Sequence, residues 1–469
     1  MGPHRGTGAV VTVEILWFII GVLAVAVGIA LSIALHEIGH LVPAKLFGVR
    51  VTQYMVGFGP TIFSRKKGET EYGVKAIPLG GYVSMVGMYP PEHPEQGERP
   101  RSASTGLFQQ MASDARQMSA EELQPGDEKR MFISLPVWKR VVIMLGGPFM
   151  NLVIAFALTA ILVTTTGVAT ATTTVSEVFK CVLPAAVQQE RAAAGEAPGQ
   201  GGAEACRPGD PAAPAFEAGL EPGDTITAFN GQPVDDWDEL SSAIRERAGE
   251  PTAITWERDG AEQSGTITPK LTERPVADSS GRAQTNPDGS TQTEDVGFVG
   301  MGSEVQNVPQ PITETFPVMG QQLKATADVV VVLPVKLWET AVAVFGPEER
   351  DPNGPMSVVG VGRIAGEAAA LEDVPLADKA SLLLSLVAGV NVALMVFNLI
   401  PLLPLDGGHV AGALWEALRR GWAKLTRRRD PGVFDIAKLL PLTYVVGIAL
   451  LGMGLLLIVA DIVDPIRIF

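Results

Sequence analysis

The chain has 469 residues, 46% of them hydrophobic and 19% charged, with a formal net charge of −15. Soluble proteins carry about 25% charged residues, so this composition excludes a wholly soluble enzyme, and two cysteines exclude a disulfide-dense secreted scaffold. Nucleic-acid binding needs a basic footprint, and here the acid is concentrated in residues 168–380, whose net charge of −19 leaves +4 for the remainder.

In chain order, the first element is an uncharged apolar run at 15–35, inside a candidate transmembrane helix over 9–42. Crossing a bilayer takes about 20 residues. The run is too long, and wrongly flanked, for a cleavable signal peptide. It ends in His36-Glu37-Ile38-Gly39-His40. Residues 50–88 are glycine-rich and alternate like short strands, and 89–137 reads as a polar cytoplasmic loop with a short helix near 119–123. A second apolar run at 141–166 lies within a helix expected over 138–167.

The acidic section follows, with a compact piece expected over 170–305. Residues 185–215 and 276–294 are rich in Ala, Gly, Pro and small polar residues and read as linkers. Between them lie a strand at 225–229, an Asn230-Gly231 turn, a helix at 236–247 with Trp237, Leu240 and Ile244 on one face, and strands at 252–257 and 264–268. Cys181 and Cys206 both fall in this section, where an oxidising compartment would permit a disulfide, with two free thiols as the alternative. Residues 306–375 read as an amphipathic membrane-surface segment, because the run at 329–345 is broken by Pro334 and charged at Lys336 and Glu339. A third span, 381–405, sits in a helix expected over 379–408; a basic loop at 409–438 and a fourth span, 439–460, within 439–462, complete the chain.

Lys and Arg cluster in the segments joining spans one to two and three to four, so these loops are expected in the cytoplasm and both termini and the acidic section outside.

On a helix, positions i and i+4 share a face, so His36 and His40 can present imidazole nitrogens to one zinc ion, with Glu37 placed to accept a proton from a water. Ionisable groups in an apolar span are functional by default. A catalytic zinc needs a third protein ligand. Of the other histidines, His4 is terminal and His93 lies in a Pro/Glu-rich loop, whereas Asp406 is the first acidic residue after span three and His409 its competitor.

The order HEIGH at 36–40, GFGP at 57–60, PLGGYVSM at 78–85, GGPFMN at 146–151, AGLEPGD at 218–224, GPMSVVG at 354–360 and NLIPLLPLDGG at 398–408 resembles the site-2 protease family (peptidase M50) of intramembrane zinc metalloproteases, in its PDZ-containing bacterial branch. The resemblance covers most of the chain. It implies a polytopic α-helical membrane protein with four transmembrane helices, a membrane-embedded β-hairpin or small sheet, and one extracytoplasmic PDZ domain in the bacterial cell membrane. It also implies one Zn2+ per chain held by His36, His40 and Asp406, with Glu37 as general base. Asn398 and Asn151 resemble the motif asparagines near the site, and Gly80, Gly81, Tyr82 and Val83 fall on the segment that clamps substrate. The implied partners are the lipid bilayer and single-span membrane proteins such as anti-sigma factors already trimmed outside, or remnant signal peptides, with no nucleic acid. A silent PDZ-bearing scaffold or a zinc transporter are the competing readings. Intact HEIGH and LDG argue against the first, and the lack of ionisable residues within the apolar runs of spans two to four argues against the second.

Overall fold

The structure is a computed structural model that describes residues 7–88, 124–184, 209–276, 291–346, 354–372 and 374–466, together with positions 187, 191, 206, 207, 284, 350 and 351. The side chains of 7–12, 78 and 79 are not described, and most of the 89–137 loop, with its expected helix at 119–123, falls outside the described residues. Two units are present, one made of Met1–Thr166 and Gln310–Phe469 and the other of Gly167–Pro309.

The first unit holds α1 (Thr7–Leu46), the hairpin β1 (Val51–Lys67) and β2 (Thr70–Met85), and α2 (Val137–Thr165). Among the described residues, four helices are long and apolar enough to cross a membrane: Val13–Leu46, Val137–Thr165, Leu376–Asn398 and Ile436–Val463. Transmembrane helices associate through close backbone approach at small residues. Accordingly, a Cβ built at Gly39 would lie 2.6 Å from the Gly146 carbonyl carbon, and one at Gly21 would lie 2.7 Å from Ala369 Cβ.

Residues 53–56 of the hairpin are flanked twice: Tyr54 faces Tyr72 on one side and Val83 on the other. Folding β1 and β2 back in this way turns two strands into a small curled sheet. Segment 81–84 forms one border, with no further strand outside it among the described residues. The Tyr54 hydroxyl donates to the Ala34 carbonyl at 2.8 Å and Lys45 Nζ donates to the Tyr72 hydroxyl at 2.6 Å, so the sheet is tied to α1. Arg50 pairs with Asp127, whose carboxyl is held below its ordinary value by the Gln124 amide and then by Arg50 itself.

After the second unit the chain forms α4 (Thr315–Phe345), α5 (Val358–Ala370), α6 (Leu376–Asn398), α7 (Asp406–Leu425) and α8 (Leu440–Val463); α3 lies in the second unit. Three expectations are corrected here. The helix placed over 379–408 ends at Asn398, because Pro401 and Pro404 cannot continue an α-helix, and Asp406 opens a new helix instead. The basic segment placed at 409–438 as a loop is helical to Leu425. The 306–375 segment does not lie wholly on a surface, since α5 buries Gly360, Ile364, Ala365, Gly366, Ala368 and Ala369, of which Ala365, Gly366 and Ala369 admit α1 at close range.

Two buried polar contacts hold this bundle in register. Asn391 of α6 donates to Ser32 Oγ of α1 at 2.8 Å. Arg140 of α2 lies 2.6 Å from Glu416 of α7, and Glu416 also accepts from the Phe434 amide at 3.0 Å and lies 3.2 Å from Arg420. Removing one partner of a buried pair strands the other charge. Arg140→Met is therefore expected to lower stability by about 3 kcal/mol, and Arg140→Met with Glu416→Met to recover part of the loss. Equilibrium unfolding in detergent reads both, and an unchanged Arg140→Met would show that Arg420 suffices as the partner.

The second unit is β-rich, with strands β3 (Val168–Val178), β4 (Thr225–Phe229), β5 (Gln232–Pro233), β6 (Thr252–Arg258), β7 (Ala261–Ile267), β8 (Lys270–Pro275), β9 (Thr293–Phe298) and β10 (Met301–Val308), and the helix α3 (Trp237–Glu246). The sheet order is β10-β3-β4-β6-β7, with β5 beside β4, and β8 and β9 pair separately. Asn230-Gly231 and Asp259-Gly260 turn with positive φ throughout, as two-residue hairpins require. Asp236 caps α3 by accepting from the Glu239 amide at 2.8 Å. The core gathers Ile226, Phe229, Leu240, Ile244, Ile254 and Ile267. Burial would raise the Asp224 carboxyl, but Arg258 at 2.7 Å and the Glu221 amide at 2.8 Å outweigh it and hold the group below its ordinary value. Cys181 and Cys206 are joined in a disulfide, which resolves the choice the sequence left open.

Candidate active site

The HEIGH turn lies about four-fifths of the way along α1, and all three of its ionisable side chains are buried. His36 Nε2 and His40 Nε2 stand 3.2 Å apart. Asp406 Oδ2 lies 3.4 Å from the first and 3.3 Å from the second. Helical spacing brings the two imidazoles together. The carboxylate arrives from 366 residues further along the chain because the proline-bearing break after Asn398 starts α7 at Asp406. Gly407 and Gly408 are needed there: a Cβ at Gly408 would lie 2.7 Å from the Leu402 carbonyl carbon, so only bare backbone lets the helix start against its own leading turn.

The imidazoles are oriented from behind. His40 Nδ1 lies 2.8 Å from the Ile143 carbonyl, an acceptor only, so Nδ1 carries the proton and Nε2 is left as a bare donor of electrons. Asn151 is fully buried with its amide 3.1 Å from His36 Nδ1, and its Oδ1 has no partner. Rotating that amide by half a turn lets Oδ1 accept from Nδ1–H, which frees His36 Nε2 in the same way; the two amide orientations are interchangeable by shape.

The space in front is shaped for an ion. His36, His40 and Asp406 can each offer one ligand atom, all within 4.8 Å of one another, and Asp406 Oδ2 is buried without a hydrogen-bond partner. A Cβ at Gly147 would fall 2.6 Å from His36 Cε1 and 2.7 Å from His36 Nε2, so this position of α2 keeps the space open. Two imidazole nitrogens and one carboxylate oxygen with room for a fourth group are the donor set of a catalytic zinc site. The residues fit that metal.

A cavity opens from this cluster, lined by His36, Glu37, His40, Asp406, Asn398 and the border segment Gly80, Gly81, Tyr82 and Val83. Glu37 packs on Gly81: a Cβ there would stand 2.8 Å from Glu37 Cγ and 3.2 Å from Oε1. Gly80 has φ +116°, which only glycine adopts readily. His409 also lines the cavity but is outside the group whose atoms could hold a metal, so the geometry favours Asp406 between the two candidates. Asn151, expected as a substrate contact, is instead enclosed behind His36 and is not part of the lining. Sequence reasoning missed the Ile143 carbonyl and Gly147. The paired glycines of GGPFMN were a signal for the second, whereas a backbone carbonyl leaves none.

The family model described as Peptidase family M50 matches residues 24–429. Zinc metalloprotease Rip1 of Mycobacterium tuberculosis is 33% identical over 464 residues, covering 96% of this chain and 99% of that protein. The Rip1 of Mycolicibacterium smegmatis is 32% identical over 468 residues, with the same coverage of 96% and 99%. Metalloprotease MmpA of Caulobacter vibrioides is 25% identical over 412 residues, covering 86% of this chain and 88% of that protein. A His-His-Asp cluster that fits zinc, four helices among the described residues long and apolar enough to cross a membrane, and end-to-end similarity to zinc metalloproteases place the chain in peptidase family M50, the site-2 protease family, as a multi-pass membrane zinc metalloprotease.

Proposed function

We propose that this chain is an endopeptidase that hydrolyses peptide bonds within the transmembrane segments of single-span substrates, holding one zinc ion on His36, His40 and Asp406. The observation that carries the reading is the position of Glu37, between the two imidazoles and a sheet border, 81–84, whose outer side is unpaired among the described residues. A transmembrane helix resists hydrolysis because its amides are bonded within it. A strand border unwinds it by offering backbone partners in exchange. In this reading 50–88 is a membrane-embedded sheet and Gly80–Val83 holds the substrate as an added strand, with Gly81 bare so that the scissile peptide reaches Glu37.

Zinc, when bound, lowers the pKa of a water and polarises the scissile carbonyl. Glu37 takes the proton from the attacking water and returns it to the leaving amine. The Asn398 amide, at the C-terminal end of α6 and in the cavity lining, donates to the oxygen on which charge develops. Asn151 serves His36 as a positioning residue in place of the substrate contact first expected. Groups that orient metal-ligating histidines are worth 10- to 100-fold in metal affinity. Asn151→Ala is therefore expected to weaken zinc binding by about 10- to 100-fold, and Asn151→Asp to restore much of it. Chelator competition measures both, and unchanged affinity in the alanine variant would remove this role.

Spans at 9–42, 138–167, 376–398 and 439–462, with 170–305 outside as a PDZ domain, are proposed in the sense that puts the termini outside and the active site near the cytoplasmic face. The Lys and Arg distribution supports that orientation. Cys181–Cys206 supports an oxidising exterior for the second unit. Anti-sigma factors trimmed on their outer side are the proposed substrates, remnant signal peptides a second class, and the PDZ unit admits only trimmed chains. The test compares a single-span anti-sigma-type protein, intact and with its outer domain removed, reconstituted with the enzyme in lipid. Cleavage of the trimmed form inside its apolar segment, located by mass spectrometry, is the expected result. Cleavage only in soluble, non-membrane portions would overturn the reading.

A further inference from the structure

Helix α7 has a face that the proposed chemistry does not use. Its buried face carries Gly412, Ala413, Glu416 and Ala423 and packs toward α2 and the returning segment at Phe434. The opposite face presents Leu414, Trp415, Leu418, Trp422 and Leu425, each more than 50% exposed. At 100° per residue these five positions fall in one stripe about 100° wide. Arg419 borders the stripe on one side, exposed Lys424 lies about 80° beyond its other edge, and exposed Arg427, Arg428 and Arg429 follow at once. Residues 419–429 contain six cations, with Arg420 the sixth, and no acid before Asp430. Arg420 is engaged with Glu416 at 3.2 Å and with Asp430 at 3.5 Å, so the cations available to a partner are the other five.

Connectivity locates this face. The span α6 ends at Asn398 and the next candidate span begins at Ile436, so α7 lies between two membrane exits on the same side of the bilayer. It is not itself among the helices apolar enough to cross. A non-spanning helix with indoles and leucines on one face and Arg and Lys to either side of it lies in the plane of the membrane interface. Its cations meet the phosphates of the lipid headgroups there, and anionic lipids attract such clusters most strongly. The first residue of the same helix, Asp406, belongs to the zinc-fitting cluster, and the Arg140–Glu416 pair ties α7 to α2.

We propose that α7 is an anionic-phospholipid docking surface, with Trp415 and Trp422 in the headgroup layer and Lys424 and Arg427–Arg429 on lipid phosphates, and that this docking holds Asp406 against His36 and His40. The coupling to activity rests on the zinc-site reading above, whereas the lipid contact stands on the helix alone.

The full chain in nanodiscs of phosphatidylcholine, or of phosphatidylcholine with phosphatidylglycerol, tests the proposal. Brominated phosphatidylglycerol is expected to quench tryptophan fluorescence in the wild type, and to quench less in Trp415→Phe with Trp422→Phe, a comparison needed because the chain has seven tryptophans. Zinc affinity and cleavage are expected to rise at least about fivefold with the anionic lipid. Lys424→Ser, Arg427→Ser, Arg428→Ser and Arg429→Ser combined should abolish that rise and leave the activity in phosphatidylcholine at the wild-type level. Equal activity in both lipids, or a lipid response that survives the fourfold variant, overturns the coupling. An effect reproduced by free glycerol phosphate would assign the site to a soluble anion instead. Disulfide crosslinking of Trp415→Cys between two chains would assign the face to a second copy. If no lipid yields zinc binding or cleavage while the quenching difference persists, the zinc-site reading fails and the lipid contact remains.

Discussion

Glu37→Gln is expected to retain a full complement of zinc and to lose cleavage by roughly 10^2- to 10^4-fold, the range associated with removing a positioned general base. The substitution isolates one property. Glutamine keeps the length and volume that pack against Gly81, where the glutamate Cγ leaves 2.8 Å to a hypothetical Cβ, so the sheet border is undisturbed. The zinc-fitting atoms belong to His36, His40 and Asp406, so the metal should remain. Metal analysis beside single-turnover cleavage of a trimmed single-span substrate makes the measurement. Loss of zinc together with activity would mean that Glu37 helps hold the metal. Persisting cleavage would move the base elsewhere in the cavity, with His409 the first group to examine.

The second large effect is expected at a residue with no side chain. Gly147→Ala should reduce zinc affinity by at least about 100-fold and abolish cleavage. The reason is spatial: the added methyl carbon would sit 2.6 Å from His36 Cε1 and 2.7 Å from His36 Nε2, inside van der Waals contact and in front of the imidazoles. Helix propensity works the other way, since alanine favours a helix over glycine by about 1 kcal/mol, which offsets part of the roughly 1–3 kcal/mol that overpacking costs and keeps α2 folded. Zinc lost from a variant that, compared with wild type in the metal-free form, still unfolds cooperatively within a few degrees is the expected pair of readings. Retained zinc would show that α2 yields at this point and that the space in front of the histidines is wider than the structure places it.

Much of the first unit was readable along the chain because its signals are local. Twenty uncharged apolar residues are a span wherever they occur, and His36 and His40 share a helix face by spacing alone. Asn230-Gly231 likewise announces a hairpin turn, and it is found. Helix ends were read less well. The third apolar run continues to Leu405, but Pro401 and Pro404 stop the helix at Asn398, and hydropathy does not register their missing amides. The surface reading of 306–375 rested on Pro334, Lys336 and Glu339 and extended past them to α5, whose glycines and alanines are what allows α1 to approach.

What remained hidden depends on distances between parts of the chain that share no local pattern. Asp406 and His409 lie one turn apart with equal chemical claims, and only the fold shows Asp406 Oδ2 3.3 Å from His40 while His409 faces the cavity without joining the cluster. Asn151 reads as a substrate contact in its motif, but the crossing of α1 and α2 at Gly39 and Gly146 encloses it behind His36. The double pairing of Tyr54 with Tyr72 and Val83, which leaves 81–84 as the border, has no counterpart in a strand's alternation. Residue types and spacings establish which chemistry the chain carries, because ligand preference and helical period are properties of a few consecutive residues. Which groups meet is set by packing: small residues let backbones close to contact, prolines end helices, and buried pairs such as Arg140 and Glu416 lock the resulting register.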